Sequence, residues 1–356
     1  MNPQYNGNYP YNGNYPYNGA PTPAPGREPF FRRLFRSEEY APFRDLFITS
    51  CIIGLGFIAY PALGDIYIFA VTKLPGMLAM YTENVTFGYL CDIIYSFMCV
   101  GFPFWLVYIM LSVSGKYPGS LPAGKPRSSS VSPFVLILSG LGVCFAGDLV
   151  SGYLTAFLQG FGLEFYSYQQ ALEGDIFPDT PVGALVYLLR TAAVPALIEE
   201  FALRGVVLQS LRKYGDWFAI VISAVMFGLM HGNMTQVPFA LIAGIALGYC
   251  FVVTGSLWIT VAIHFTNNLV AVIYAAIVSS FGDGAGMLFS LAATYGFLGA
   301  GLVALVVYCV KNPRFAKLYP GEFPAQKKKG RAFFLAPTTL IAVLLLFDFI
   351  WQDIVR

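Results

Sequence analysis

Long apolar runs dominate the chain, and few stretches alternate between apolar and polar positions. A helix that crosses a bilayer needs about 20 predominantly apolar residues. Nine runs meet or approach that length: 46–66, 88–113, 133–159, 181–209, 217–232, 237–254, 256–277, 286–310 and 332–350. The fifth and sixth are short, so a count of eight is also compatible. The pattern predicts an all-α fold, a polytopic transmembrane helix bundle of about eight to nine spans, rather than a β-barrel.

The segment before the first span has a different character. Residues 5–19, "YNGNYPYNGNYPYNG", repeat a hexapeptide that has no charge and no aliphatic residue. Such a sequence cannot form a core, so residues 1–29 are predicted to be a disordered tail. Residues 30–45 begin with "FFRRLFRS", in which aromatic and basic residues alternate at helical spacing. This predicts an amphipathic segment on the membrane surface.

Composition agrees with a membrane protein. Of the 356 residues, 57% are hydrophobic and 11% charged, whereas soluble domains are about one quarter charged. Membrane lipid is therefore an expected partner, and no nucleic-acid partner is predicted. The six cysteines stand singly in apolar segments without a C-x-x-C pair, so neither a disulfide framework nor a thiolate metal site is indicated.

The charges are distributed asymmetrically between the loops. Lys and Arg cluster before the first span, in the loop 114–130, at 212–213 and between 311 and 331, whereas the loop 160–180 has four acidic residues and no Lys or Arg. Basic loops face the cytoplasm. We therefore expect a multi-pass protein of the plasma membrane with a cytoplasmic N-terminus, and nine spans would place the C-terminus outside.

The stretch "PALIEEFALRG" at 195–205 places three charged residues inside an apolar run. A charge at the bilayer centre costs at least ~2.5 kcal/mol and needs a partner or a purpose. Residues four apart share a helix face, whereas adjacent residues point about 100° apart. Glu200 and Arg204 are therefore predicted to form an ion pair, which leaves Glu199 free for another partner.

Both histidines of the chain lie in or at the end of apolar helices. In "FGLMH", Phe227 is one turn before His231 and is predicted to pack beneath the imidazole. In "HFTNN", His264 shares a face with Asn268. Together with Glu199, three separate helices each contribute polar groups to a shared interior.

These groups suffice for hydrolysis by an activated water molecule. A glutamate can accept the proton of water, a histidine can assist, and a histidine–asparagine pair can donate hydrogen bonds to an oxyanion. Alternatively, Glu199, His231 and His264 could bind a divalent metal such as zinc, since two histidines and a glutamate form a known catalytic set. No H-E-x-x-H motif is present. The spacing alone does not choose between the two mechanisms, and no cofactor is assigned with certainty.

In chain order, "EEFALR" fits E-E-x-x-x-R, "FGLMH" fits F-x-x-x-H and "HFTNN" fits H-x-x-x-N. Over roughly residues 180–280 the sequence resembles the CAAX-processing and bacteriocin-processing family of intramembrane endopeptidases. The resemblance implies that Glu199 activates water with His231 beside it, that His264 and Asn268 form the oxyanion site, and that the Glu200–Arg204 pair supports them. The family is often labelled metalloprotease, but a metal-free glutamate mechanism is also argued for it, and we favour the latter here.

The resemblance also implies a membrane-associated peptide or protein as substrate: a lipidated CAAX-type protein, a bacteriocin-like peptide or another membrane partner, all of which remain open. It divides the chain into N-terminal transmembrane helices at 46–179, a CAAX protease-like catalytic core at 180–280 and C-terminal transmembrane helices at 281–356. Two other functions remain open: a non-catalytic immunity or scaffold protein on the same fold, and a proton-coupled transporter. The sequence does not indicate the oligomeric state.

Three further expectations concern the packing of the helices. Asp148 and Arg190 are predicted to form a buried pair that joins neighbouring helices, with contact to the substrate as the alternative role. Ala240, with the glycines at 244 and 248, forms a small-residue face suited to helix packing. At 1.5 Å per residue, Glu199 and His264 lie ~15 and ~12 Å from the cytoplasmic ends of their predicted spans, but the histidine at 231 lies ~21 Å from its own. The three side chains can lie at the same depth in the membrane only if a helix is tilted or kinked or if a span boundary is wrong.

Overall fold

The computed structural model describes residues 41–126, 132–167, 176–315, 317–321 and 326–355. The predicted tail and most of the segment 30–45 lie outside these residues. The helices are α1 Ala41–Lys73, α2 Met77–Glu83, α3 Val85–Val113, α4 Pro133–Gln159, α5 Pro181–Tyr214, α6 Asp216–Met230, α7 Val237–Thr254, α8 Leu257–Phe281, α9 Asp283–Lys311, α10 Gln326–Phe334 and α11 Pro337–Asp353. Two short strands, β1 Glu164–Phe165 and β2 Ile354–Val355, pair antiparallel.

The helical bundle predicted from the apolar runs is confirmed. Within the described residues, seven helices are long and apolar enough to cross a membrane: α1, α3, α4, α5, α7, α8 and α9. The predicted span at 217–232 corresponds to α6, an apolar helix of 15 residues that lies between α5 and α7 in the chain.

The predicted span at 332–350 is divided into two helices, α10 and α11. The break occurs because Pro337 disfavours the helical conformation of the residue before it, and Ala336 is extended, with ψ 128°. Immediately after the break, the hydroxyls of Thr338 and Thr339 donate to backbone carbonyls of α1 at 2.6 and 2.8 Å. A Cβ on Gly54 would lie 2.4 Å from the backbone of Thr339, so this close approach requires glycine in α1.

A cluster around Asp45 marks one end of the bundle, which we call the basic end. The carboxylate of Asp45 accepts hydrogen bonds from Lys116 at 2.5 Å, from Lys213 at 2.6 Å and from the Tyr214 hydroxyl at 2.6 Å. The loop after α3 and the last turn of α5 are thereby tied to the start of α1. These contacts place the basic loops 114–126 and 212–213 together, as the charge pattern predicted.

The opposite end, which we call the acidic end, is closed by Asp353. Its carboxylate accepts from the backbone N–H groups of Met234 at 2.9 Å and Ser167 at 2.8 Å. Ser151 of α4 donates to the carbonyl of Thr235 at 2.5 Å in the same region. The C-terminal segment, the α6–α7 connection and the segment after α4 therefore meet at the end away from Asp45.

The predicted pair of Asp148 and Arg190 is wrong. Arg190 binds Asp92 of α3 at 3.0 Å instead, and the other oxygen of Asp92 accepts from Tyr81 at 2.8 Å. The reason is that this part of α5 packs against α3, whereas Asp148 on α4 faces an internal cavity. The predicted small-residue face of α7 does pack closely, since a Cβ on Gly244 would lie 2.9 Å from α6.

Candidate functional site

The hydrogen-bonding pattern of α5 changes around the glutamate pair. Wider π-helical turns cover Leu189–Ala193 and Phe201–Leu208, and an α-helical segment, Val194–Glu200, separates them. Pro195, in the first turn of that segment, has no N–H to donate to the preceding turn. π-Helical turns within α-helices occur frequently at functional sites.

Glu200 and Arg204 form the predicted ion pair. Arg204 donates to Glu200 Oε1 at 2.7 Å, and neither side chain is exposed. The guanidinium carbon lies 4.6 Å from the ring centroid of Phe227 on α6, and a second nitrogen lies 3.4 Å from the carbonyl of Gly244 on α7. The pair therefore connects three helices behind the catalytic candidates.

His264 of α8 stands between the two glutamates. Its Nδ1 is 3.0 Å from Glu200 Oε1, and its Nε2 is 3.9 Å from Glu199 Oε2. Because an ionised carboxylate only accepts, His264 Nδ1 carries the proton. In the neutral ring Nε2 is then an acceptor, and it donates only when the ring is protonated. The separation of 3.9 Å is too long for a direct hydrogen bond and suits a bridging water molecule.

His231 directly follows α6, and its tautomer is also defined by a neighbour. Its Nδ1 is 2.8 Å from the carbonyl oxygen of Phe227. A carbonyl only accepts, so Nδ1 carries the proton and the neutral ring has Nε2 as an acceptor. The Phe227 ring packs edge-on against the imidazole with centroids 4.7 Å apart, in the position predicted for it.

Asn268 lies one helical turn after His264. Its amide nitrogen donates to the carbonyl of Thr191 on α5 at 3.2 Å, and its amide oxygen is 3.4 Å from Asn267 Nδ2. An amide nitrogen has two hydrogens. One is engaged by Thr191, and the other is available to a group in the cavity.

A cavity of about 730 Å³ brings these groups together. Glu199, His231, His264 and Asn268 all line it, as does Phe227, whereas Glu200 and Arg204 do not. This volume lies in the range of small-molecule and peptide sites. The polar groups of three helices thus share one interior space, and the adjacent glutamates face different surroundings.

Glu199 and His231 lie at the same depth in the bundle because the predicted end of α5 was wrong. The helix continues to Tyr214 rather than ending at 209, so Glu199 lies 15 residues before the last residue of α5, next to the turn at Gly215–Asp216. His231 lies 15 residues after Asp216. At 1.5 Å per residue both are about 22 Å from the same turn. The helix α8, which carries His264, begins within the basic end of the bundle: Leu257 N donates to the carbonyl of Pro122 at 3.0 Å.

The sequence analysis missed the contribution of α4 to this cavity. Polar and small residues of α4 line one wall, and Thr191, Asn267 and Tyr274 line others. The α4 residues are Cys144, Asp148, Ser151, Thr155 and Gln159. Their spacing of three or four residues was a usable signal, since it predicts one helix face.

The donor set does not fit a metal ion. Within the described ranges, no group of three or more His, Cys, Asp or Glu side chains is arranged so that it could hold one. We therefore derive no step through a metal.

Comparison with known proteins agrees with the three motifs. Residues 181–270 match the family model described as "Rce1-like: Type II CAAX prenyl endopeptidase Rce1-like". A protein of Bacillus subtilis (strain 168) with the name "Putative membrane peptidase YdiL" is 22% identical over 169 residues, which are 47% of this chain and 66% of that protein. The match thus spans slightly less than two thirds of that relative. No solved structure matches the chain. Residues 181–270 are therefore similar to the Rce1-like family, and the resemblance drawn from the motifs is confirmed for this part of the chain.

Proposed function

We propose that the protein is an intramembrane endopeptidase that hydrolyses a peptide bond of a membrane-associated substrate. The observation that carries this proposal is the shared cavity of Glu199, His231, His264 and Asn268 above a buried ion pair. The Rce1-like match over the same region supports a protease at the level of the family.

In the proposed reaction, a water molecule binds between Glu199 and the two histidines. Glu199 accepts a proton from this water while its oxygen attacks the carbonyl carbon of the scissile bond. His231 Nε2 is an acceptor in the neutral ring and orients the water. Because apolar helices surround the site, the charge that develops interacts more strongly with these groups than it would in water.

The carbonyl oxygen becomes an oxyanion as the new bond forms. The second amide hydrogen of Asn268 donates to it, and a protonated His264 donates from Nε2 while Nδ1 remains bound to Glu200. A preorganised donor of this kind contributes about 10²–10³ in rate. When the carbon–nitrogen bond breaks, the leaving nitrogen takes the proton from Glu199, which returns to its carboxylate form. The second proton of the water passes from the new carboxylic acid to the amine, so the products are a carboxylate and an ammonium group.

The substrate belongs to one of two classes, a lipidated CAAX-type protein or a bacteriocin-like peptide. Both are attached to or inserted in a membrane, which suits a cavity enclosed by apolar helices. The site also lies about 22 Å along α5 from the basic end, so the scissile bond must enter the bundle.

The test compares peptide termini in membranes of cells that express the wild-type protein or Glu199→Ala at matched levels. We expect new termini only with the wild type, and we expect Glu199→Ala to fold normally because this side chain lines the cavity rather than the buried pair. Asp348→Asn is the matched control, because it removes a carboxylate from the exposed side of α11.

Cleavage by Glu199→Ala at the wild-type rate would refute the role of this residue. Identical termini in all samples, over a range of growth conditions, would refute the protease function and favour an immunity or scaffold protein on the same fold.

A further inference from the structure

One face of α4 forms a polar stripe along the cavity. Asp148, Ser151, Thr155 and Gln159 are separated by three or four residues, so they lie on one side of the helix. All four line the cavity. The stripe extends from the middle of α4 to its last residue at the acidic end.

Asp148 is the one carboxyl side chain that α4 contributes to the cavity lining. It is 15 residues from the start of α4 and 11 from its end, about 22 and 16 Å along the axis. No hydrogen bond or ion pair engages its carboxyl group within the described part of the chain, and Arg190, the predicted partner, is bound to Asp92. The residue is exposed, so a charged group in the cavity can reach it.

The described residues that line the cavity offer no lysine or arginine to fill this role. Gln159 of α4 and Gln236 near the α6–α7 connection line the cavity at the same end. A cleft with one sign of charge attracts and concentrates ligands of the opposite sign.

We propose that Asp148 binds a lysine or arginine side chain of the substrate peptide, which enters from the acidic end along the stripe. This inference rests on the proposed endopeptidase function and adds the substrate class, a peptide with a basic residue close to the scissile bond.

The size of the cavity limits how far that residue lies from the cleaved bond. The α4 wall of the cavity extends from Cys144 to Gln159, about 22 Å along the helix axis, and an extended peptide advances at most 3.3–3.6 Å per residue. Asp148 and Glu199 line this same cavity. The basic side chain is therefore within about seven residues of the scissile bond.

The experiment uses the full chain in vesicles of phosphatidylcholine, a lipid without net charge. A mixture of synthetic peptides, each with an N-terminal palmitoyl chain, is incubated with the protein, and products are identified by mass spectrometry. Matched peptides differ only in having lysine, norleucine or glutamate at one position. The variants are Asp148→Asn, Asp148→Lys, Glu199→Ala and the control Asp348→Asn.

We expect the wild type and Asp348→Asn to favour peptides with lysine or arginine within about seven positions of the cut. Asp148→Asn should lower kcat/KM for the lysine peptides about 10-fold or more, as expected for loss of a hydrogen bond between charged groups, and change the norleucine peptides little. Asp148→Lys should reverse the preference toward glutamate. If Asp148 had only a structural role, its replacement would lower kcat/KM for all three peptide classes together.

The outcomes separate this inference from the proposed function. Cleavage that depends on Glu199 but shows no preference for basic residues, or the same preference in Asp148→Asn, would overturn the role of Asp148 and retain the protease. Absence of any cleavage that depends on Glu199 would overturn both.

Discussion

Replacing Glu200 by glutamine should destabilise the bundle because it leaves the charge of Arg204 without a counterion. The two side chains form a 2.7 Å pair in which neither is exposed. A hydrogen bond between transmembrane helices contributes on average only ~0.6 kcal/mol, whereas breaking a buried ion pair by removing one partner costs about 3–5 kcal/mol. The stranded charge therefore determines the effect, and we expect the free energy of unfolding of Glu200→Gln to fall by about 3–5 kcal/mol.

Thermal unfolding of the purified protein in detergent measures this effect. At about 2 °C per kcal/mol, the value for larger domains, Tm should fall by about 6–10 °C. The control is Asp92→Asn, whose pair with Arg190 is about one quarter exposed, at 24% and 27%. Because solvent screens such a pair, its loss should cost about 1 kcal/mol or less.

The double variant Glu200→Gln with Arg204→Met tests the physical reason. An apolar side chain of similar length removes the stranded charge, so most of the lost stability should return. Cleavage should not return, since His264 Nδ1 still lacks its carboxylate partner at 3.0 Å. An unchanged Tm in the single variant, or a double variant as unstable as the single one, would refute this account of the pair.

Three further predictions concern the catalytic groups. Asn268→Ala should lower kcat about 10²-fold with KM little changed, since its second amide hydrogen is proposed to bind the oxyanion; a raised KM with unchanged kcat would contradict this. Asp353→Asn should lower both cleavage rate and Tm, because its carboxylate holds the N–H of Met234 at 2.9 Å, three residues after His231; an unaffected rate would show that the loop needs no such tie. Treatment with EDTA or phenanthroline should leave cleavage unchanged, and a loss that zinc restores would refute the metal-free mechanism.

Local helical geometry explains why much of the site could be predicted. A period of 3.6 residues places Glu200 beneath Arg204 and directs Glu199 about 100° away, whatever surrounds the helix. The same period places Phe227 against His231, and the structure has these rings 4.7 Å apart. Spacing within a single helix is therefore sufficient for these contacts.

Contacts that depend on the order of the helices could not be predicted in the same way. Asp148 and Arg190 are equally plausible partners by depth, but the α5 segment with Arg190 packs against α3. The boundary at 209 was wrong because Arg212 and Lys213 suggested the membrane surface. The helix continues since Arg212 pairs with Asp216 at 2.8 Å and Lys213 with Asp45 at 2.6 Å, so these charges are accommodated within the packed end.

The adjacent glutamates of α5 meet opposite physical requirements, and this explains why both are needed. A base that activates water must be accessible, and Glu199 is 21% exposed at the cavity wall. Such a group cannot also hold the helices together, because a binding partner would occupy its lone pairs. Glu200 performs that task, since one oxygen accepts from both Arg204 on its own helix and His264 on α8. The proton on His264 Nδ1 is thereby fixed, and the nitrogen that faces Glu199 is left for chemistry. In the proposed reaction the buried pair thus acts through the orientation of a histidine, which is why restoring stability without the carboxylate should not restore cleavage.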